Sequence, residues 1–175
     1  MVVKLKRIID LWRYLIYSPN KYAKYIGVNI GVDNFISDKK CWSSEPYLIT
    51  IGNHCQITSG VRLFTHGGGN VARDKYPDFD VFGKIVIGDW VYIGSGSLIM
   101  PGVTIGDNVL VAAGSVVTRS VPPRTIVAGN PARVIGTVDD YIKRSLPYNI
   151  KSKMLSRVDK KKLLLSLPDE CFLHK

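Results

Sequence analysis

The sequence predicts a mainly β protein whose short parallel strands wind into a triangular coil, and three observations carry that prediction. The first is a period: Ile87, Ile93, Ile99, Ile105, Val111 and Val117 fall six residues apart without a miss. A helix repeats every ~3.6 residues and a strand every ~2, so a strict period of six gives neither one helix face nor one long strand. Three hexads instead close a coil of about eighteen residues, and equivalent positions stack at the ~4.8 Å spacing of paired strands. Ile87 is then placed beneath Ile105, and Ile93 beneath Val111. The second observation is the residue after each aliphatic, which is small or compact at Gly88, Gly94, Gly106, Ala112 and Thr118, Met100 being the exception. Tight corners under a stacked coil require this. The third is a small slot four residues on, at Val91, Ser97, Val103, Val109, Ser115 and Val121, which lets the large aliphatics share a narrow interior. Ile51, Ile57 and Leu63 continue the pattern upstream, with Cys55 and Val61 in the small slot.

The remaining elements follow in chain order. Residues 3–17 place Leu5, Ile8, Ile9, Trp12, Leu15 and Ile16 at helical spacing, with Lys6, Arg7, Asp10 and Arg13 opposite, so an amphipathic helix is expected. Ser18-Pro19 reads as an N-cap with proline in the first turn, opening a second helix over Asn20 to Ile26. Coils begin near Ile30. The hexads Ile30, Ile36, Trp42 and Leu48 run three residues out of phase with Ile51, which predicts an insertion or a bent coil around Ser43 to Thr50. Between Leu63 and Ile85 the repeat stops, and a Gly-, Asp- and charge-rich loop at 67–83 is expected to project from one corner. The coils end past Pro122-Pro123 and Asn130-Pro131. Capping-box patterns at Thr137-x-x-Asp140 and Ser156-x-x-Asp159 predict helices over 138–146 and 156–168. The chain therefore divides into an N-terminal helical segment (1–27), a coil domain (28–136) and a C-terminal helical tail (137–175), the terminal helices covering exposed ladder edges.

Charge and cysteine content narrow the function classes. The formal charge of +10 is uneven: residues 1–25 carry six basic side chains against one acid, 26–136 nine against eight, and 137–175 nine against five. A nearly neutral core with basic ends argues against a nucleic-acid binder, which more often carries a basic stripe on its folded core. It favours peripheral contact between the basic N-terminal helix and an anionic membrane face. Cys41, Cys55 and Cys171 form neither a disulfide framework nor a C-x-x-C metal motif, which points to a reducing, cytoplasmic setting. No apolar run approaches the ~18 residues of a spanning helix.

The run IGDWVYIGSGSLIMPGVTIGDNVLVAAGSVVTRSVPPRTIVAGNPARVIG, from Ile87 to Gly136, resembles the hexapeptide-repeat acyltransferases. General rules favour right-handed crossovers in ~98 % of cases; the resemblance instead implies a left-handed parallel β-helix. Within that superfamily SSEPYLITIGNHCQITSGVRLFTHGGG, from Ser43 to Gly69, is similar to sugar O-acetyltransferases of surface-polysaccharide synthesis and, more distantly, to the maltose and galactoside acetyltransferases. The resemblance implies a homotrimer that uses acetyl-CoA and a sugar or glycan acceptor. It places the catalytic histidine at His66 and an acidic residue that holds it, or the acceptor, at Glu45. It places CoA contacts at Ser95, Ala113, Thr118, Arg119 and Arg133. Where some relatives carry a substrate-binding asparagine, this chain has Ser37 and Asp38.

Acetyl transfer from a thioester to an alcohol needs a base, a stabilised oxyanion and a pocket for pantetheine and phosphates. An imidazole, with an ordinary pKa near 6.5, suits the first role at His66. Glu45 is placed to fix its tautomer, backbone amides near Ser95 to meet the oxyanion, and Arg119, Arg124 and Arg133 to pair with CoA phosphates. No serine or cysteine is evidently paired with a base, so direct transfer is expected rather than a covalent acetyl-enzyme. His54, at a hexad corner, reads as structural. Three other functions stay open: antibiotic acetylation, a non-catalytic scaffold, and a γ-type zinc carbonic anhydrase. The last needs three converging histidines, whereas this chain has His54, His66 and His174, and no metal is expected.

Overall fold

The hexad period becomes a strand register. The computed structural model describes residues 2–174, with side chains from Ile8 onward, so Leu5, Lys6 and Arg7 of the N-terminal helix lie outside the described side chains. Two helices, α1 (Val2–Ile16) and α2 (Pro19–Tyr25), precede β1 (Asn29–Ile30) and β2 (Phe35–Ile36). The coils continue through β3 (Ile49–Ile51), β4 (Gln56–Ile57), β5 (Arg62–Leu63), β6 (Ile85–Ile87), β7 (Tyr92–Ile93) and β8 (Leu98–Ile99). They finish with β9 (Thr104–Ile105), β10 (Leu110–Val111) and β11 (Val116–Val117), followed by a hairpin of β12 (Thr125–Gly129) and β13 (Ala132–Thr137). Helices α3 (Val138–Ser145) and α4 (Arg157–Ser166) follow. The chain forms two compact units, Met1–Val138 and Asp139–Lys175.

Strands of the first unit stack into three sheets, ordered β1-β3-β6-β9, β2-β4-β7-β10-β12-β13 and β5-β8-β11. Ile87 pairs with Ile105, Ile93 with Val111 and Ile99 with Val117, all in parallel, as the period predicts. The inward residues of the three sheets form one core. Ile57, Leu63, Ile87, Ile93, Ile99 and Ile105 are each at most 1 % exposed, and full burial of such a side chain stabilises by about 1.5–3 kcal/mol. Corners are as tight as their composition implies: a Cβ added at Gly94 meets the Ala113 Cα of the next coil at 2.8 Å.

Two insertions interrupt the eighteen-residue beat. Ile30 pairs with Ile51 and Ile36 with Ile57, a separation three residues longer than the coil period. The excess lies in a bulging corner that ends in a 3₁₀ turn over Pro46–Leu48. Leu48 therefore leaves the interior place its spacing assigns, and Ile49 and Ile51 are buried instead. The second excess is a whole coil long, because Leu63 pairs with Ile99. Its segment is the predicted loop, closed at the root by an antiparallel bridge between His66 and Phe82.

Each end of the stack has its own cover. Helix α2 packs against β1 and β2, its Ala23 wholly buried, and the Ser18 hydroxyl accepts from the Lys21 amide at 3.4 Å in its first turn. At the other end the antiparallel β12–β13 hairpin extends one sheet, an element the sequence pattern did not predict. Helix α1 meets the coil at its C-terminal turn, where the Lys39 ammonium donates to the carbonyls of Tyr14 and Leu15. Tyr14 and Tyr17 meet Tyr22 and Tyr25 edge-on, and Arg13 lies over the Tyr25 ring, so the aromatic side of α1 faces α2. Leu11, Trp12, Leu15 and Ile16 are left 53–67 % exposed. No helix among the described residues is long and apolar enough to cross a membrane. In the second unit α3 carries Asp139 and Asp140 in its first turn and Lys143 and Arg144 in its last, matching the helix dipole. Ser156 caps α4, accepting from the Asp159 amide at 3.1 Å.

Candidate active site

The three-residue insertion and the long loop leave the coil at the same edge of the prism, one coil apart. The first presents Glu45 and the second His66. Their side chains meet, with His66 Nδ1 2.9 Å from Glu45 Oε2. Thr65, fully buried, donates its hydroxyl to the same carboxylate oxygen at 2.8 Å. The hydroxyls of Ser43 and Ser44 lie 3.3 and 3.4 Å from Nδ1. The hydrogen bond to His66, followed by those to Thr65 and Ser44, holds the Glu45 carboxyl below its usual range. An ionised carboxylate only accepts, so Nδ1 is the donor in this pair. Glu45 is largely covered while His66 stays open, at 17 % and 42 % side-chain exposure. The imidazole thus borders a cavity of about 340 Å³, lined also by Gly67 to Gly69, Arg73, Asp80 and Phe82.

This geometry yields a pH prediction for stability. Because the carboxyl of Glu45 titrates below its ordinary value of ~4.3, its contribution is complete above that value and fades as pH falls through the lower, folded-state value. Glu45→Gln is therefore expected to melt below the native protein at pH 7, with the gap narrowing as pH drops below about 4.3. Thermal melts from pH 7 to pH 3 check this; a gap independent of pH would remove the ionic role.

Neither Cys41 nor Cys55 offers a competing nucleophile. Burial pushes the Cys41 thiol up to about 12, and burial likewise raises Cys55. Both remain thiols at neutral pH, whereas the thiolate is the reactive form. Among the described residues no group of three or more His, Cys, Asp or Glu side chains is placed to hold a metal ion. His54 sits at a different corner, in the left-handed region at φ 57°, its ring stacked on Trp90 at 4.2 Å between centroids.

The family described as bacterial transferase hexapeptide (six repeats) matches residues 84–119. Protein CapG of Staphylococcus aureus is 49 % identical over 152 residues, covering 85 % of this chain and 88 % of that protein. The chain belongs to the hexapeptide-repeat acetyltransferases. Galactoside O-acetyltransferase of Escherichia coli K12 is 38 % identical over 70 % of this chain, the match spanning 61 % of that enzyme's length. A structure of galactoside acetyltransferase in complex with coenzyme A is similar at 26 % identity and a TM-score of 0.54, covering 79 % of this chain and 82 % of that one.

In this hexapeptide-repeat acetyltransferase the residues singled out from the sequence distribute over all three corners. Register places Thr118 and Arg119 at the edge that carries His66, two coils further up. Arg119 and Arg133 line one groove of about 150 Å³. Ser95 and Ala113 share the neighbouring edge: the Ser95 hydroxyl donates to Thr58 Oγ1 at 3.2 Å, and its carbonyl accepts from the Gly114 amide, beside Ala113, at 2.8 Å. Ser37 and Asp38 lie on that same edge, since the Ser37 amide donates to Ile57 O at 2.9 Å. Asp38 accepts from the amides of Lys40 and Gly60 at 2.7 and 3.2 Å. It lines a separate cavity of about 410 Å³ with Tyr14 and Arg62. Arg124 occupies the third edge, its amide bonded to Asp107 O at 2.9 Å, and does not line the groove of Arg119 and Arg133. Thr65, Ser44, Arg73, Asp80 and Phe82 were not singled out by sequence reasoning. Only Thr65 and Ser44 carried a signal, as hydroxyls adjoining His66 and Glu45.

Proposed function

We propose that this protein transfers an acetyl group from acetyl-CoA to a hydroxyl of a sugar in surface-polysaccharide or glycan synthesis, with His66 as general base. The observation that carries the reading is the His66–Glu45 contact at 2.9 Å beside an open cavity. With Nδ1 donating to the carboxylate, Nε2 accepts the acceptor's hydroxyl proton as the oxygen attacks the thioester carbonyl. Glu45 stabilises the imidazolium that forms, and His66 returns the proton to the departing thiolate of CoA. Cys41 and Cys55, held as buried thiols, support direct transfer without an acetyl-enzyme.

The coil winds with the left hand that the family implies. Arg119 and Arg133, which line one groove, are assigned to CoA phosphates together with Thr118, whereas Arg124, on the third edge, is left without a role at that groove. Ser95 and Ala113 lie on a neighbouring edge, so a site using both edges needs two subunits. This agrees with a homotrimer in which grooves form between protomers. Ser37 and Asp38, on that second edge, would then reach the acceptor bound at the next subunit. The exposed apolar side of α1, in a basic N-terminal segment, is assigned to the inner face of a membrane. Absence of sedimentation with anionic liposomes at low salt would remove that assignment. The direct test of function incubates the protein with acetyl-CoA and nucleotide sugars, free oligosaccharides or chloramphenicol, and follows thiol release. Turnover on a glycan hydroxyl is expected; turnover on chloramphenicol alone would favour the antibiotic reading.

A further inference from the structure

The long loop brings three side chains to the His66 cavity that general-base chemistry does not use: Phe82, Arg73 and Asp80. Phe82 is placed by the loop's root. The Gly67 amide bonds to Val81 O at 3.0 Å and the Gly83 amide to Thr65 O at 2.8 Å. His66 and Phe82 are therefore directly opposite in a non-hydrogen-bonded antiparallel pair, the closer of the two pair types, with both side chains on one face. The Phe82 ring, 54 % exposed, is an apolar plate beside the imidazole. Arg73 is anchored from behind, its Nε donating to Phe79 O at 3.1 Å. Its Nη2 lies 3.9 Å from Asp80 Oδ1, both side chains about half exposed, which is a salt bridge too long to be a hydrogen bond.

We propose that this loop is the acceptor subsite and that its ligand is a neutral pyranose ring, an inference that rests on the acetyl-transfer reading above. One face of a pyranose is lined by C–H groups, which suit the negative face of an aromatic ring; Phe82 carries that face. Hydroxyls both donate and accept, so adjacent hydroxyls satisfy Asp80 and Arg73 at once and bridge the open ion pair. Charge argues for neutrality. One guanidinium, Arg73, and two carboxylates, Asp80 and Glu45, line the cavity, which disfavours a uronic acid. Glu45 is already held by His66 and Thr65, and the nearby Arg73 guanidinium balances Asp80, which disfavours an ammonium.

The experiment uses the full-length protein and four probes: methyl β-galactopyranoside, methyl N-acetylglucosaminide, methyl glucuronoside and chloramphenicol. Initial rates of thiol release are combined with saturation-transfer NMR of the same probes, which reads binding without turnover. A neutral glycoside is expected to be the best acceptor. Phe82→Ala is expected to raise its KM about tenfold, in line with the weight of an aromatic contact, with KM for acetyl-CoA changed less than twofold and saturation transfer to the ring protons lost. Phe82→Trp restores both readouts. Arg73→Gln and Asp80→Asn each raise the acceptor KM, and the double variant costs no more than the worse single one. Preference for the glucuronoside or chloramphenicol, or an unchanged acceptor KM in Phe82→Ala, overturns the proposal while leaving acetyl transfer intact. If no probe is acetylated, the reading beneath it has failed, and saturation transfer still decides whether Phe82 holds a sugar.

Discussion

Replacing His66 by alanine is expected to lower kcat for acetyl transfer by about 10²- to 10⁴-fold, the usual worth of a general base, with circular dichroism and particle size unchanged. The fold survives because the imidazole is half-exposed and stands outside the coil interior. The loss is expected to be large because, with Nδ1 committed to Glu45, Nε2 is the one ring nitrogen left to take a proton. Removing Glu45 should act through the same atom: Glu45→Gln is expected to lower kcat about 10- to 100-fold, less than loss of the base itself. Steady-state kinetics at saturating acetyl-CoA, alongside far-UV spectra, check both. Retained turnover in His66→Ala would sink the assignment, and so would a trapped acetyl-enzyme on Cys55 or a serine.

The second large effect belongs to the scaffold. Ile93→Ala is expected to cost about 2–5 kcal/mol of stability, because the site cannot collapse around the missing atoms. Ile93 is wholly buried, with Ile57 stacked on one side and Val111 on the other. Strand pairing on both sides fixes those neighbours, so they cannot lean inward. Against a typical total of about 5–15 kcal/mol this is severe. Val86→Ala, on the outward side of β6 and 38 % exposed, is the control and should stay within about 0.5 kcal/mol. Denaturant midpoints at one fixed protein concentration compare them; equal losses would mean that the outward and inward positions of the coil are not distinct.

The same contrast explains which parts of the molecule the sequence could disclose. Ile93 and Val111 announce their contact because an eighteen-residue coil converts a fixed separation into adjacency. Glu45 and His66 are harder, since they meet only when the three extra residues near Ser43 are assigned to the correct corner. The phase slip between Leu48 and Ile51 marked that corner, although the 3₁₀ turn over Pro46–Leu48 moved Leu48 itself out of the interior. The β12–β13 hairpin was invisible because its register is antiparallel and irregular, with a shift between Ile126 and Val127. Arg73, Asp80 and Phe82 lie where no period operates. Their positions depend on where the chain folds back, which residue types at 67–83 do not specify.

The bridge at the loop's root has an evolutionary consequence. Because the chain leaves the coil after Leu63 and rejoins it before Ile85 through one fixed doorway between Thr65–Gly67 and Val81–Gly83, everything beyond the doorway is free of the hexad register. Residues 68–80 can lengthen, shorten or be exchanged without sliding Leu63 off Ile99. On the acceptor-subsite proposal, a change of acceptor specificity is then a change within residues 68–80 that leaves the Leu63–Ile99 register untouched.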